Sequence, residues 1–343
     1  MVLESIAMEF LGSNILSIDQ FDRKDIDLVF KTADSLFPFA SRQKITRVLQ
    51  GAILSNMFFE PSTRTRISFG SAFNMLGGEV RETTELEATS LAKGESLYDT
   101  SRVLSGYSDV IVMRHPEVGS VAEFADASRV PVINGGDGDN EHPSQALLDL
   151  FTIQKELESH KKDINSARIA LIGDLKFGRA VHSLCKILML YENVSIKLVS
   201  PEKLKLPGFL IDQLKKKSIS FFETSDIKEG ISDVDILYMT RIQEERFQDS
   251  SEASKYKGLM SLNQDIYTKN CEPNTVIMHP LPRDSRADAN ELDEDLNQNP
   301  NLAIYRQTDN GLLIRMALFS LILGVDGKIN ETSSTVNWFS DKS

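Results

Sequence analysis

The segment from Phe58 to Arg66 reads FFEPSTRTR and carries the residue types of an anion-binding site. Its apolar start leads to Ser62, a good N-cap residue, and the apolar spacing from Phe69 to Leu76 predicts a helix directly afterwards. A helix N-terminus has unpaired N–H groups and partial positive charge, so hydroxyl and guanidinium groups there complement a phosphate. The alternative is a capped helix with two solvated arginines. Two threonines and two arginines in alternation favour the phosphate site.

Polar side chains also follow two β-rich runs in the middle of the chain. Arg114 and His115 end the first run, while His142 and Gln145 come after the second, beyond the glycine-rich run 134–138. Ligands of open α/β sheets collect at the carboxyl ends of strands, so Arg114 and His142 fall where a site is expected. A lone histidine beside a proline is more often a satisfied loop residue. Its convergence with other polar strand-end residues is what favours a site.

A further cationic position lies in the run GDLKFGRA, from Gly173 to Ala180, which follows a predicted strand and opens a helix. A phosphate-binding P-loop would need Lys and then Ser or Thr where Arg179 and Ala180 stand, and no G-x-G-x-x-G pattern occurs. An arginine in the first turn of a helix suits a small carboxylate better than ATP. The alternative is an ion pair between Arg179 and Asp174.

Arg241 and Gln243 follow another predicted strand. Because arginine binds a carboxylate through two hydrogen bonds, a substrate with two carboxylates calls for two such residues, and Arg179 and Arg241 are the candidates. On the residues alone, an equal alternative pairs Arg241 with Glu244 or Glu245 in a solvated loop.

Two loops complete the set of candidates. In the run from His279 to Arg283, prolines fix the backbone on both sides of Leu281, and Leu281–Pro282 is a candidate cis bond. The Leu281 carbonyl is then either an acceptor for an amine or part of a rigid turn. The polar run from Ser90 to Glu95 contains Lys93 beside a glycine. It is either a surface loop or a flexible loop that brings a cation to a site, including a site on another subunit.

Short β-rich runs alternate with helical patterns, which predicts parallel sheets covered by helices. The predicted strands are 109–113, 130–133, 169–172, 195–199, 236–239 and 276–278. Beyond the helix after Ser62, helical spacing marks 142–154, 181–188 and 312–323. We expect the helix over 142–154 to bridge two α/β halves, and the helix over 312–323 to return to the N-terminal half.

Composition excludes several classes of protein. The 38 Lys and Arg against 50 Asp and Glu give a formal net charge of −12, which argues against a nucleic-acid coat or a polybasic membrane binder. A length of 343 residues suggests two domains. The longest apolar stretch, Met316 to Val325, is about half the ~20 residues that cross a bilayer. We therefore expect no nucleic-acid or membrane partner.

The first residues show no secretory signal pattern. Cys185 and Cys271 are too few for a disulfide framework and lack metal-ligand spacing, so we expect a cytoplasmic protein without structural zinc. The sequence contains neither an H-E-x-x-H pair nor a G-x-S-x-G elbow, so we expect no metal.

Taken together, these segments resemble the catalytic chains of aspartate carbamoyltransferases, in the transcarbamylase family, over roughly residues 11–324. The run Ser62–Arg66 matches the carbamoyl phosphate signature that transcarbamylases share. Further family segments match in order at 113–116, 142–145 and 173–179. Segments 240–246 and 279–283 are those expected of an aspartate enzyme, because ornithine enzymes would show a Ser-Met-Gly loop and a His-Cys-Leu-Pro segment.

The resemblance implies a role for each candidate. The phosphate of carbamoyl phosphate would be held by Ser62, Thr63, Arg64 and Thr65. Its carbonyl would be polarised by Thr65, Arg114 and His142, and its amide bound by Gln145. The carboxylates of L-aspartate would be held by Arg179, Arg241 and Gln243, with the backbone carbonyl of Leu281 near the reacting groups. Ser90 and Lys93 would reach in from the adjacent chain of a homotrimer, where Lys93 would help to bind aspartate and to catalyse.

The implied reaction is attack of the aspartate amine on the carbamoyl carbon, which gives N-carbamoyl-L-aspartate and phosphate in pyrimidine synthesis, without metal or organic cofactor. The implied fold is α/β, with two domains that are each a mostly parallel sheet flanked by helices, and with a C-terminal helix returning to the N-terminal domain. We expect a carbamoyl phosphate-binding domain over 10–145 plus 305–326 and an aspartate-binding domain over 146–304. The remainder, 327–343, is expected to be a polar, frayed tail. Whether regulatory chains join the homotrimer stays open.

The positive charges of the candidate residues suit this reaction, because its two anionic substrates repel each other and its tetrahedral intermediate carries negative charge on oxygen. Fixed cations in a water-poor site are then the main catalytic need. Two rival functions are a transcarbamylase for another amino acid and a non-catalytic scaffold or regulatory subunit that keeps the phosphate site. One departure from the family is the run 284–286, which reads Asp-Ser-Arg where many relatives have an acidic residue before Ile.

Overall fold

The computed structural model describes residues 8–84, 94–247, 249, 252, 254–284, 286 and 289–338. The chain divides into two compact units. Unit 1 comprises Met1–Leu147 and Asn310–Ser343, and unit 2 comprises Leu148–Asp309.

Unit 1 contains a four-stranded parallel sheet with strand order β3-β2-β4-β5. Its strands are β2 (Ile53–Phe58), β3 (Glu79–Thr83), β4 (Val110–His115) and β5 (Val132–Asp137). A short strand outside this sheet, β1, spans Lys44–Ile45. The helices that begin in this part of the chain are α1 (Arg23–Ser35), α2 (Phe37–Ala40), α3 (Thr63–Met75), α4 (Leu97–Leu104), α5 (Ser120–Ala127) and α6 (Pro143–Ser159).

Unit 2 contains a five-stranded parallel sheet with strand order β10-β9-β6-β7-β8. Its strands are β6 (Arg168–Ile172), β7 (Ser195–Val199), β8 (Ser220–Thr224), β9 (Ile236–Met239) and β10 (Val276–Met278). Its helices are α7 (Arg179–Leu188), α8 (Gly208–Lys216), α9 (Ile227–Ile231) and α10 (Gln264–Asn270). Helix α11 (Ile304–Ile322) begins here and ends in unit 1.

The central strands form because their apolar runs are buried on both faces, as is typical of parallel sheets covered by helices. All four residues from Ile169 to Ile172 are 0% exposed. The parallel α/β architecture predicted from the sequence is confirmed.

The last long helix also lies where the sequence predicts. Phe319 of α11 packs edge-on against Phe69 and Phe73 of α3, with ring centroids 5.9 and 5.0 Å apart. Arg315 of α11 donates a hydrogen bond to the Ser68 hydroxyl at 2.9 Å. The C-terminal helix therefore returns to the N-terminal half of the chain, as expected.

The segment after α11 differs from the frayed end that we expected. Residues Asp326–Thr332 form a 3₁₀ helix, and β11 (Ser334–Thr335) pairs antiparallel with β1. The Thr46 hydroxyl donates to the Ile329 carbonyl at 2.9 Å, which ties this segment to unit 1. A polar composition suggested a loose tail, but the backbone groups of this segment find partners that sequence periodicity does not reveal. Residues 339–343 lie outside the described part of the chain.

Within the described residues, no helix is long and apolar enough to cross a lipid bilayer. Cys185 and Cys271 are both free thiols.

Candidate active site

The phosphate-type segment lies between β2 and α3 in unit 1. Ser62 is the N-cap residue of α3, so Thr63, Arg64 and Thr65 occupy the first turn of the helix. Thr63 and Arg64 are exposed, whereas Thr65 is buried. The first turn of a helix has backbone N–H groups without partners inside the helix, which makes it a suitable place for an anion.

The second arginine of this segment has a different environment. Arg66 forms an ion pair with Glu82 at the end of β3. Asn56 of β2 strengthens this arrangement, because its amide donates to the Arg66 carbonyl at 3.0 Å and to the Glu82 carboxylate at 3.2 Å. Arg66 is thus engaged by the neighbouring strands.

Arg114 lies at the carboxyl end of β4, next to the phosphate-type segment. Phe58 of β2 pairs with Arg114 in register, and the Phe59 N–H donates to the Arg114 carbonyl at 2.9 Å. The Arg114 guanidinium lies 2.7 Å from the Glu60 carboxylate and donates to the Gly135 carbonyl at 3.3 Å. The Arg114 side chain is only 9% exposed, so its charged fork is held in a fixed direction.

His142 and Gln145 lie at the start of α6. His142 is buried and Gln145 is half-buried. The His142 carbonyl accepts hydrogen bonds from the N–H groups of Gln145 and Ala146, at 2.9 and 3.2 Å, which begins the helix. His142 therefore lies directly before α6 and Gln145 lies in its first turn, close in sequence to the end of β5.

The loop that precedes His142 is held by hydrogen bonds of polar side chains, which the sequence did not indicate. Asp137 accepts hydrogen bonds from the Asn134 amide at 3.0 Å and from the Glu141 N–H at 3.1 Å. The Asn134 oxygen also accepts from the Gly136 N–H at 2.7 Å. The glycine-rich run over 134–138 was the only sequence signal for this loop.

The ring of His115 is held by contacts with neighbouring protein groups. Its Nδ1 accepts a hydrogen bond from the Glu117 N–H at 3.1 Å, and its ring packs edge-on against Phe59 at 5.8 Å. Burial lowers the pKa of His115. The neutral ring therefore carries its proton on Nε2.

In unit 2, the loop after β6 is built around Gly173 and Asp174. Gly173 has φ +115°, and a Cβ there would lie 2.2 Å from the Thr240 carbonyl oxygen, so no other residue fits. The buried Asp174 carboxylate accepts hydrogen bonds from the N–H groups of Phe177 at 3.0 Å and Gln243 at 3.1 Å. Burial raises the pKa of Asp174.

Asp174 thereby joins two of the predicted site segments. Its contact with the Gln243 backbone is reinforced by the Gln243 amide, which donates to the Phe177 carbonyl at 2.9 Å. Arg179 follows as the first residue of α7. The segments that carry Arg179 and Gln243 are therefore fixed to each other, although some 60 residues separate them in the chain.

Arg241 is paired within its own loop. Its guanidinium donates to Glu245 at 3.0 Å and makes a second, closer contact with the other carboxylate oxygen. It also donates to the Ile242 carbonyl at 3.1 Å. The ion pair within the loop that the sequence suggested for Arg241 is therefore present, and its binding of a substrate carboxylate stays a prediction.

The loop after β10 contains the cis peptide bond Leu281–Pro282 that the sequence suggested. Leu281 has φ +59°, and its N–H donates to the His279 ring at 2.8 Å. Further along this loop, Arg286 pairs with Asp284 and lies 2.5 Å from Glu244. The residues that depart from the family pattern are thus connected to the loop of Arg241.

Two predicted site residues, Ser90 and Lys93, lie outside the described residues. Among the residues that are described, no group of three or more His, Cys, Asp or Glu side chains is arranged to hold a metal ion.

Comparison with known proteins decides the family. Residues 13–155 match the model of the carbamoyl-P binding domain of aspartate/ornithine carbamoyltransferases. Residues 165–322 match the model of the Asp/Orn binding domain of the same proteins. This chain belongs to the aspartate/ornithine carbamoyltransferase family. The transcarbamylase resemblance stated from the sequence is thereby confirmed.

Individual carbamoyltransferases align over nearly the whole chain. The aspartate carbamoyltransferase catalytic subunit of Saccharophagus degradans is 65% identical over 97% of this chain and 98% of its own length. That of Cellvibrio japonicus is 64% identical, with the same coverage. The crystal structure of Trypanosoma cruzi aspartate transcarbamoylase with carbamoyl aspartate and phosphate has a TM-score of 0.82 and 35% identity. The alignment covers 94% of this chain and 100% of the T. cruzi chain.

Proposed function

We propose that this chain is the catalytic chain of an aspartate carbamoyltransferase. It transfers the carbamoyl group of carbamoyl phosphate to the amine of L-aspartate, which gives N-carbamoyl-L-aspartate and phosphate in pyrimidine synthesis. The observation that carries the proposal is the 65% identity, over 97% of the chain, to a protein named as such a catalytic subunit. The T. cruzi relative binds carbamoyl aspartate and phosphate, which are the products of this reaction.

The candidate residues of unit 1 suit carbamoyl phosphate. Its phosphate would bind at the start of α3, through Ser62, Thr63, Arg64 and Thr65. Its carbonyl oxygen would accept hydrogen bonds from Thr65, Arg114 and His142, and its amide would contact Gln145. Because Glu60 and Gly135 already fix the Arg114 guanidinium, that donor needs little reorganisation when negative charge develops on the carbamoyl oxygen.

The candidate residues of unit 2 suit a dicarboxylate. Arg179, Arg241 and Gln243 would hold the two carboxylates of aspartate, since a guanidinium fork matches a carboxylate. Aspartate competes with Glu245 for Arg241, because both present a carboxylate to the same fork. The Leu281 carbonyl would accept an N–H of the neutral amine. The amine nitrogen then attacks the carbamoyl carbon, the bond from that carbon to the phosphate oxygen breaks, and the proton lost by the amine ends on the departing phosphate.

On this proposal, residues 10–145 plus 305–326 bind carbamoyl phosphate and residues 146–304 bind aspartate. The active enzyme is a homotrimer in which Ser90 and Lys93 of one subunit complete the site of its neighbour. Light scattering of co-purified material tests whether regulatory chains join these homotrimers in a larger assembly. The two free thiols suit the reducing cytoplasm.

The deciding experiment is an assay of phosphate release. Purified protein is given carbamoyl phosphate with either L-aspartate or L-ornithine, and we expect turnover with aspartate only. Turnover with ornithine instead would assign the chain to the other branch of the family. Tight binding of carbamoyl phosphate with no turnover for either amino acid would favour a non-catalytic subunit and would contradict the proposal.

A further inference from the structure

His279, directly after β10, is a buried histidine whose two ring nitrogens have different partners. It is 1% exposed. Its Nδ1 accepts the Leu281 N–H at 2.8 Å, and its Nε2 lies 2.8 Å from the Glu291 carboxylate. Since Nδ1 is an acceptor, the proton of the neutral ring lies on Nε2, the nitrogen beside Glu291, and this contact is a close N···O approach without hydrogen-bond geometry.

Glu291 contacts the same loop at a second point. It is 5% exposed, and its carboxylate accepts the Asp284 N–H, with distances of 3.0 and 3.2 Å to its two oxygens. The ring of His279 therefore holds the start of the loop, and the carboxylate of Glu291 holds its end.

The sequence of this loop makes the contact with His279 unusually important. Pro280 and Pro282 have no backbone N–H, so Leu281 supplies the one amide donor between His279 and Arg283. That donor is used for the His279 ring, and Leu281 adopts φ +59°, a conformation that is unfavourable for a leucine side chain. The His279 contact thus fixes the peptide orientation of a residue that would otherwise leave this conformation.

His279 is itself anchored to a buried polar network in unit 2. Its N–H donates to the Gln307 side chain at 3.0 Å, and the Gln307 amide donates to Asp149 at 2.6 Å. Tyr238 of β9 donates to the other oxygen of Asp149, also at 2.6 Å. Asp149 and Tyr238 are 0% exposed and Gln307 is 2% exposed, so the anchor is rigid and shielded from water.

We propose that His279 and Glu291 are positioning residues that hold the Leu281 carbonyl in the direction needed to accept the amine of aspartate. This inference rests on the proposed function, in which that carbonyl aligns the amine for attack on the carbamoyl carbon. Small errors in such alignment have large effects on rate, because misplacement by about 1 Å costs on the order of 100-fold. Neither residue touches substrate in this proposal, and both act through Leu281.

Two substitutions separate the contacts of His279. In His279→Asn the amide oxygen replaces Nδ1, which keeps an acceptor for the Leu281 N–H. In His279→Gln the longer amide replaces Nε2, which keeps a group at Glu291 but removes the acceptor for Leu281. The proposal predicts that His279→Gln lowers kcat by about 10- to 100-fold, that His279→Asn retains more of kcat, and that both leave the affinity for carbamoyl phosphate within about twofold of wild type.

A purely structural role is tested in the same assay. Leu214→Ala, buried in α8, is the stability control, because it removes packing at a residue outside the hydrophobic cluster against which Leu281 packs. We expect the kcat of this control to stay within about threefold of wild type, even if its Tm falls as far as that of His279→Gln. If the three variants lose kcat in proportion to their loss of Tm, or if His279→Gln keeps wild-type kcat, the positioning role is wrong.

Glu291→Gln gives an independent check if a His279 variant does not fold, since it keeps the shape of the side chain and an acceptor for Asp284. We expect a lower kcat with unchanged carbamoyl phosphate affinity, and an unchanged kcat would overturn the inference. Wild-type protein is assayed alongside. Inactive wild type contradicts the proposed function and the positioning role with it, whereas active wild type with unaffected variants contradicts only the positioning role.

Discussion

The guanidinium of Arg241 is bound on both of its nitrogen arms by the carboxylate of Glu245, four residues later in the chain. The Arg241 side chain is 29% exposed, so the ion pair is partly accessible to solvent. The pairing orients the guanidinium before any ligand arrives. An acidic substrate that binds Arg241 must share this fork with Glu245 or displace it.

Replacement of Arg241 by alanine tests its proposed role. Because the fork is proposed to hold a carboxylate of aspartate, we expect Arg241→Ala to lower kcat/KM for aspartate by about 100-fold or more, while the affinity for carbamoyl phosphate is retained. Steady-state kinetics with varied aspartate measure this effect. The control is Arg81→Ala, which also removes an arginine paired with a glutamate, at 2.7 Å, but on an exposed strand. Equal losses in the two variants would exclude a specific role for Arg241.

The fixed direction of Arg114 leads to a prediction about geometry rather than charge. Lysine keeps the charge but cannot contact Glu60 and Gly135 and still present a planar fork to a ligand. We expect Arg114→Lys to lower kcat by about 100-fold. Arg129→Lys is a matched control, since Arg129 also donates to a backbone carbonyl, that of Arg102, at 3.0 Å. A near-normal kcat for Arg114→Lys would show that charge alone is sufficient.

Position 173 requires a glycine, both for its backbone conformation and because no space is left for a side chain. A Cβ at this position would lie 2.2 Å from the Thr240 carbonyl, at φ +115°. We expect Gly173→Ala to lower the free energy of unfolding by about 2 to 4 kcal/mol. In contrast, Gly208→Ala at the start of α8 meets no heavy atom within 4 Å, and should stabilise the protein by about 0.5 to 1 kcal/mol. Urea titrations measure both, and equal stability of the two variants would contradict the close approach of β6 and β9.

Stability should fall as the solution becomes mildly acidic. Burial lowers the pKa of both His115 and His279 from the ordinary value of 6.5. Below about pH 6.5 the unfolded chain therefore binds more protons at these positions than the folded chain does. The stabilising effect of keeping them neutral is present above that pH and is lost as the pH falls.

The expected slope is at most about 1.4 kcal/mol per pH unit for each histidine. Unfolding free energies at pH 7.5, 6.5 and 5.5 measure it, and His115→Gln should make the slope shallower. Stability that stays constant or rises between pH 7.5 and 5.5 would show that these rings are not kept neutral by the fold.

The sequence was most informative about the buried strands. The predicted strands 195–199, 236–239 and 276–278 have the same bounds in β7, β9 and β10, because continuous apolar and β-branched runs leave few alternatives. Strands β2, β3 and β8 of the two main sheets were not predicted as strands. For the buried β2, the sequence was interpreted only as an apolar run that leads to Ser62. β3 and β8 are edge strands with mostly exposed or half-buried residues, so no apolar run marks them.

For the candidate site, the sequence indicated which segments carry chemistry but not how they are held. Glu60 and Arg114, or Asp174 and Gln243, are far apart in the chain, and their contacts arise only when neighbouring strands bring the loops to one edge of a sheet. The pair of Arg241 and Glu245 was weighed as an alternative, because the two residues lie in one short loop of the sequence. The roles of Ser90 and Lys93 stay predictions.

The strand that pairs Ser334–Thr335 with Lys44–Ile45 bears on how the polypeptide can be shortened. Judged from composition alone, Val325 is a suitable last residue for a shortened protein intended for crystallisation. Such a truncation would deprive the Thr46 hydroxyl of both the Ile329 carbonyl and the Thr332 hydroxyl, which lie 2.9 and 2.8 Å away. Ending the chain there would therefore remove contacts that stabilise unit 1.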